Sequence, residues 1–176
     1  MLTKLQEAFI AHFGEPPQHV IRAPGRVNLI GEHTDYNNGF VLPCAIEQHT
    51  LVALSPRTDD TVCTLALDYE RELDTFRLGE SLTSHTHQAW ANYVRGVVCA
   101  LQDRDFSLRG CNIAIIGNIP QGAGLSSSAA LEVGVAKALA VDNDLAVSNL
   151  TLAQVGQAAE NDFVGCHCGI MDQLIC

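Results

Sequence analysis

Leu5, Ala8, Phe9 and Phe13 recur at helical spacing, and Gly14 with Pro16-Pro17 stops the run, so the chain opens on an amphipathic helix. The period then changes. His19–Ala23 reads as a short strand, and Pro24 to Tyr36 as a polar, irregular stretch. Asn38-Gly39 predicts a tight turn. Phe40–Ile46 and His49–Leu54 read as extended, with Pro43 marking an edge or a bulge. Asp59-Asp60 marks another turn before two strands, Thr61–Leu67 and Leu73–Leu78. Helical spacing returns over Gln88–Asp103, where Trp90, Val94, Val97, Val98 and Leu101 share one side. The apolar run Cys111–Ile116 reads as a buried strand and Ala129–Ala140 as a helix on which Leu131, Val135 and Leu139 step by four. Leu152, Val155, Ala159 and Phe163 predict a last helix on the core. Strands come first and helices later, which predicts an α+β fold rather than alternating βαβ units.

Composition narrows the classes. A chain of 176 residues fits one domain, residues 1–176, and at 47% apolar content it can build a core. Twenty acidic against ten basic residues give a net charge of −10, which argues against nucleic acid and anionic lipid as partners. No apolar run approaches the length of a membrane span and Met1–Gly14 lacks a signal-peptide layout, so the expectation is a cytoplasmic protein. Seven cysteines without metal spacing predict free, buried thiols, and Cys166-His167-Cys168 lacks the partners of a zinc site. Met171–Cys176 is apolar and ends without a polar tail, which predicts a chain that stops inside an element.

Three constellations carry candidate chemistry. In the first, Gly117-Asn118-Ile119-Pro120-Gln121-Gly122-Ala123-Gly124-Leu125-Ser126-Ser127-Ser128 joins a buried strand to a helix. Backbone N–H groups and the helix dipole converge there, which makes a phosphate cradle without side-chain cations. The stretch lacks the Gly-Lys-Ser/Thr ending of a Walker loop; read alone, it is equally a turn with an N-cap. In the second, Arg26 and Asn28 precede Gly31-Glu32-His33-Thr34-Asp35-Tyr36-Asn37, a dense array of donors and acceptors suited to a polyol, or else a polar surface loop. In the third, Glu160 would lie on a helix, where a carboxylate is ordinarily solvated. Asp172 sits in the same stretch, between Ile170-Met171 and Leu174-Ile175, a carboxylate inside an apolar run. Phosphoryl transfer needs a phosphate cradle, a metal-binding carboxylate, a group that handles the acceptor's proton and positive charge on the transferring group, and these residues with Arg26 could supply them.

At these residues the sequence resembles the galactokinases of the GHMP family of small-molecule kinases. Arg22–Asn37 resembles the galactokinase signature, Pro120–Ala130 the ATP-binding motif, and Gly165–Gln173 the segment with the catalytic aspartate. The likeness extends to Gln88–Val97. It implies a GHMP kinase N-terminal domain, a mixed sheet packed against helices and incomplete at its C-terminus. It implies that Asp172 accepts the proton of the sugar's anomeric hydroxyl and that Arg26 stabilises the transition state. Glu32, His33, Thr34 and Asp35 then match the galactose-binding stretch, and Gly122, Ala123, Gly124, Leu125, Ser126, Ser127 and Ser128 the phosphate loop. Ser128 and Glu160 match Mg²⁺ ligands, with ATP as cosubstrate and D-galactose as substrate. The chain departs from the family in length, lacking a third Gly-rich motif, a second domain and a further sugar-contacting tyrosine. That implies little or no turnover by the chain alone and self-association through the face left bare. A galactose- and ATP-binding sensor without chemistry is the alternative; the intact Ser126–Ala130 stretch and Asp172 favour the enzyme lineage. An inert remnant is a third reading, and another GHMP substrate such as mevalonate or homoserine is a weaker one that the Glu32–Asp35 stretch argues against.

Overall fold

The computed structural model describes residues 1–31, 33–37 and 39–176. The amphipathic opening forms α1 (Leu2–Phe13), which Gly14 ends in the left-handed conformation at φ 78°. Four strands follow, β1 (His19–Asn28), β2 (Pro43–Pro56), β3 (Thr61–Ala66) and β4 (Glu72–Arg77). Then come α2 (Ala89–Gln102), β5 (Cys111–Gly117), α3 (Ser127–Asp142), α4 (Asn149–Ala158), a π-helical turn at Ala159–Val164 and the short α5 (Met171–Ile175).

The strands form one sheet in the order β1-β2-β5-β3-β4, antiparallel except where β5 lies parallel to β3. Because β5 enters between β2 and β3, its end and the loop after it emerge at the middle of the sheet. Side chains alternate across the strands. Val52, Leu54, Ile113 and Ile115 face α2, α3 and α4 with Trp90, Val94, Val98, Val135 and Leu139. Leu51, Ala53, Ala114 and Ile116 face the other way and pack under Leu5 and Phe9 of α1. With both faces covered, β5 is buried along nearly its whole length, which is why it reads as an uninterrupted apolar run.

The structure departs from the sequence reading in four places. β1 does not stop at Ala23 but runs through Pro24-Gly25-Arg26 to Asn28. The two extended segments around Glu47-Gln48 are one strand with a bulge, where Pro24 faces His49 and Arg26 faces Ala45. Pro43 is its first residue, in the half of β2 that borders β1 alone. The last helix of the core changes pitch, α4 passing into the π-helical turn that carries Glu160, so the single helix to Phe163 is two elements and Glu160 is buried rather than solvated. All seven cysteines are free, but only Cys111 is buried; Cys44 and Cys166 are exposed, on the half of β2 that borders β1 alone and on the loop after Gly165.

Candidate active site

The Gly-rich loop meets β1 through a position that only glycine can fill. A Cβ on Gly25 would lie 2.7 Å from the carbonyl oxygen of Leu125, and that oxygen accepts the Arg26 backbone N–H at 3.1 Å. The contact is possible because Gly25 has no side chain, and it places Arg26 beside the loop. The Arg26 side chain then closes the junction. Its Nη1 donates to the Gly124 carbonyl oxygen at 2.5 Å. Its Nε and Nη2 grip the Asp172 carboxylate at 2.8 and 2.7 Å. A third donor reaches the same carboxylate, the Ser126 hydroxyl, 2.5 Å from Oδ2. Arg26 and Asp172 keep 12% and 26% of their side chains exposed, so the pair is sheltered but reachable.

The loop holds this geometry against backbone preference. Gly122 and Gly124 both have φ of 69°, and Ser126, a buried non-glycine residue, sits at φ 58° and ψ 50°. Left-handed backbone at a residue with a Cβ costs free energy and is retained where the surroundings impose it. Ser126 precedes the first turn of α3 without a side-chain cap, so the N–H groups of that turn are not capped by a side chain. Ser127 and Ser128 line a cleft of about 590 Å³ with Gly122, Gln121, Tyr69, Trp90 and Tyr93. Glu72 accepts the Trp90 indole N–H at 2.6 Å, and the Tyr69 and Trp90 rings lie 6.0 Å apart. The cleft is therefore aromatic at one end and opens on a helix N-terminus at the other, a shape that accepts a flat ring joined to an anion.

The signature loop docks on the segment that carries Asp172. Asp35 Oδ2 accepts the Met171 N–H at 3.0 Å, and a Cβ on Gly169 would collide with that carboxylate. Thr34 turns its hydroxyl into the loop, donating to the Gly31 and Phe40 carbonyl oxygens at 2.7 and 2.9 Å. His33 is exposed at φ 57° with its Nδ1 2.5 Å from the Tyr36 hydroxyl. Glu32 lies outside the described residues. Arg26, Gly124, Leu125, Ser126 and Asp172 thus meet at one point, Asp35 joins them through the backbone of α5, Thr34 turns its hydroxyl to shaping the loop, and His33 commits its Nδ1 to Tyr36.

Glu160 stands a step away, its Oε2 accepting Gln173 Nε2 at 2.8 Å and lying 3.4 Å from the Cys168 thiol. Burial, followed by the charges of Glu160 and Glu132, pushes the hydroxyl of Tyr93, a residue of the cleft wall, up to about 12. Among the described residues no three His, Cys, Asp or Glu side chains cluster closely enough to hold a metal alone. Ser128 lines the cleft and Glu160 does not, and no hydrogen bond among the described residues joins them; each is a hard oxygen donor of the kind Mg²⁺ takes. The sequence reading missed Glu132, Gln173 and the aromatic wall of the cleft. Glu132 carried the same signal as Asp172, a carboxylate inside an apolar run (Leu131-Glu132-Val133).

Known proteins match this sequence and fold. Residues 7–56 match the galactokinase galactose-binding signature, and residues 92–176 match the GHMP kinases N terminal domain. The structure of Lactococcus lactis galactokinase complexed with galactose superposes with a TM-score of 0.90 at 38% identity, over 99% of this chain and 45% of that one. Methanococcus jannaschii mevalonate kinase (TM-score 0.73, 20% identity, 89% of this chain and 50% of that one) shares the fold. So does Streptococcus pneumoniae phosphomevalonate kinase, solved with phosphomevalonate and AMPPNP (0.68, 19%, 89% and 46%). The chain spans about half the length of the kinases it matches. It belongs to the GHMP kinase family and, within that family, carries the galactokinase signature.

Proposed function

We propose that this chain provides the acceptor-activating and phosphate-holding half of a galactokinase, which transfers the ATP γ-phosphoryl group to the anomeric hydroxyl of α-D-galactose and releases ADP. The observation that carries the reading is the junction of Arg26, Ser126 and Asp172, where the galactose-binding signature touches the Gly-rich loop. Asp172 takes the proton of the sugar hydroxyl. Arg26 and Ser126 fix the orientation of its two oxygens, and Arg26 supplies positive charge beside the transferring group. The N–H groups of Gly122–Ser128 and the first turn of α3 hold the triphosphate, with its base against Tyr69 and Trp90. Mg²⁺ held by Ser128 and Glu160 would neutralise phosphate charge. Glu32, His33, Thr34 and Asp35 form the sugar-binding loop, Thr34 and Asp35 by shaping and anchoring it. The setting is the cytoplasm; among the described residues no helix is long and apolar enough to cross a membrane.

The chain spans 45% of the galactokinase it resembles, and for these 176 residues by themselves the proposal is binding of galactose and MgATP with little turnover. Leu29, Ile30, Phe40 and Leu42 are exposed on paired backbone (Leu29 N–H to Leu42 O, Leu42 N–H to Ile30 O, both 3.0 Å) and offer the apolar surface for self-association. Titration calorimetry with galactose and with MgATP, beside a coupled ADP-release assay, tests this. Heats of binding with little ADP release are expected. Absence of binding to both ligands overturns the galactokinase reading, and turnover near that of a full-length galactokinase overturns the assignment of binding alone.

A further inference from the structure

β3 and β5 run parallel, so both finish at the same end of the sheet, and the turn after β3 lies beside the Gly-rich loop after β5. Three hydrogen bonds stitch turn and loop together. The Leu67 N–H donates to the Ile115 carbonyl oxygen at 3.0 Å, and the Gly117 N–H donates to Asp68 Oδ2 at 2.5 Å. These two fix the root of the loop. The third reaches its crown, where Gln121 Nε2 donates to the Tyr69 hydroxyl at 2.7 Å. Both side chains belong to the wall of the cleft, Gln121 beside Gly122 and Tyr69 beside Trp90.

The loop depends on that third bond. Its root is held again at Asn118, which exchanges two bonds with the His49 backbone at 2.8 and 3.1 Å. Its far end is held at Gly124 and Leu125 by Arg26. Between Asn118 and Gly124, among the described residues, the bond to Tyr69 is the one hydrogen bond that ties the loop to the rest of the chain. The turn on the other side is strained to meet it. Glu70 and Arg71 lie at φ 49° and 61°, with the Glu72 N–H donating to the Tyr69 carbonyl oxygen at 2.7 Å across them. Both are exposed, so no burial forces them into that shape. Left-handed backbone at two successive residues with a Cβ persists where the surroundings impose it. The bonds that impose it flank the pair: Asp68 and Tyr69 hold the Gly-rich loop, and Glu72 holds the Trp90 indole.

We propose that the Tyr69–Gln121 bond is a clasp that keeps the aromatic wall in register with the Gly-rich loop, and that both side chains are positioning residues for the nucleotide. The proposal deepens the phosphoryl-transfer reading and rests on it. An amide–phenol bond beside an open cleft adds little to folding, because each group can bond water instead. Its effect is geometric. A nucleotide carries its base and its phosphates at a span set by the ribose between them, so a cleft that holds both ends has to keep its two walls at that span. With the clasp closed, the Tyr69 ring and the N–H groups of the loop are set before the ligand arrives, and less ordering is left to the moment of binding. With it open, the stretch from Ile119 to Ala123 loses its tie, and Tyr69 keeps its place by contact with Trp90 alone.

A double-mutant cycle tests the clasp, with MgATP as the probe, calorimetry of the whole chain as the readout and thermal melts in parallel. Tyr69→Phe keeps the ring and drops the hydroxyl; Gln121→Met keeps the length and drops the amide. Each is expected to weaken MgATP binding about fivefold, the scale of one hydrogen bond. The double variant is expected to bind no worse than either single one, since the same bond is lost in all three. The melts are expected to coincide with that of the wild type. Losses that multiply in the double variant overturn the clasp. Affinity unchanged in both single variants overturns it too, and so do melts that fall in step with affinity, which would make the bond a structural one. Each of these results leaves the phosphoryl-transfer reading standing. A wild-type chain that binds no MgATP overturns that reading and the positioning role together.

Discussion

Arg26 grips Asp172 through Nε and Nη2 at 2.8 and 2.7 Å, and Arg95 grips Asp74 through the same nitrogens at the same two distances. The forks are alike and their settings are opposite. Asp74 and Arg95 keep 3% and 10% of their side chains exposed and bolt β4 to α2. The remaining partners close around the pair, with His85 at its exposed edge. His85 Nε2 lies 3.0 Å from Asp74, Arg95 Nη1 reaches the Thr83 carbonyl at 3.2 Å, and the guanidinium lies 5.1 Å from the Phe76 ring centroid. The backbone on both sides is regular helix and strand. Around Asp172 the backbone is strained, the partners come from a loop, and an edge of the carboxylate faces solvent. An arginine–aspartate fork therefore does not mark a site. What separates the two is whether the surrounding chain spends conformational energy to leave the pair reachable.

The same substitution at both forks breaks that comparison most sharply. Asp74→Asn leaves Arg95 buried without its counter-charge, and such losses cost about 3–5 kcal/mol. Asp172→Asn removes a carboxylate that keeps 26% of its side chain exposed and leaves Arg26, itself only 12% exposed, its bond to the Gly124 carbonyl, so a smaller loss of about 1–3 kcal/mol is expected. Denaturant unfolding of the two variants measures the difference, and equal losses would show that the Asp172 fork is a structural bolt like the other.

Titration separates the buried groups next. Burial raises the Asp74 carboxyl, but hydrogen bonds from Arg95 and His85 outweigh it and leave its pKa below the ordinary value. Its contribution to stability is therefore present above the unfolded value and lost as pH falls through the folded one. Glu132 behaves in the opposite sense. Raised to about 9, it contributes fully below the unfolded value near 4.5, and that contribution is lost as pH rises toward 9. Between those two values the expected loss is up to ~1.4 kcal/mol per pH unit. Glu132→Gln removes it, and an undiminished slope over that range in the variant would assign the loss to other groups.

Gly25→Ala carries the comparison to the backbone. The added methyl would meet the Leu125 carbonyl oxygen at 2.7 Å, and that oxygen is held by the Arg26 N–H. Overpacking against backbone costs about 1–3 kcal/mol. Because the strain falls on the junction of β1 and the Gly-rich loop, nucleotide affinity is expected to drop with stability. Thermal melts paired with nucleotide titration check it; a loss of stability with affinity intact would uncouple the junction from the cleft.

What the sequence made legible follows from the range of the interactions. The helix periods, the apolar run of β5 and the loop before α3 are local patterns and appear in the structure within a few residues. Asp172 stood out because a carboxylate inside an apolar run needs a partner, and Arg26 was the partner the resemblance implied. Glu132 sent the same signal and went unread, because the four-residue steps of Leu131, Val135 and Leu139 describe one face of α3 while the helix is buried nearly all round, Lys137 apart. Burial on every side depends on what packs there, and α4, α5 and the π-helical turn arrive from later in the chain. The continuity of β2 was hidden for a related reason. Glu47-Gln48 breaks the apolar pattern, but in the sheet it is a bulge opposite Gly25, placed by a pairing that spans the signature loop. The π-helical turn, which buries Glu160 instead of leaving it on a helix surface, has no local pattern that announces it.

Ser126 offers the smallest effect and the finest resolution, because its side chain and its backbone pull in opposite directions. The hydroxyl donates to Asp172, while the residue occupies φ 58°, a conformation that glycine adopts without penalty. Ser126→Ala loses the hydrogen bond and keeps the strain, and should cost about 1 kcal/mol. Ser126→Gly loses the same bond but relieves the strain, and should lie within about 0.5 kcal/mol of the wild type. If the hydroxyl orients Asp172, both variants should reduce any galactose-dependent ADP release to the same degree despite their different stabilities. Activity that instead follows stability, with the glycine variant retaining what the alanine variant loses, would show that Ser126 serves the shape of the loop and that Arg26 alone orients the carboxylate.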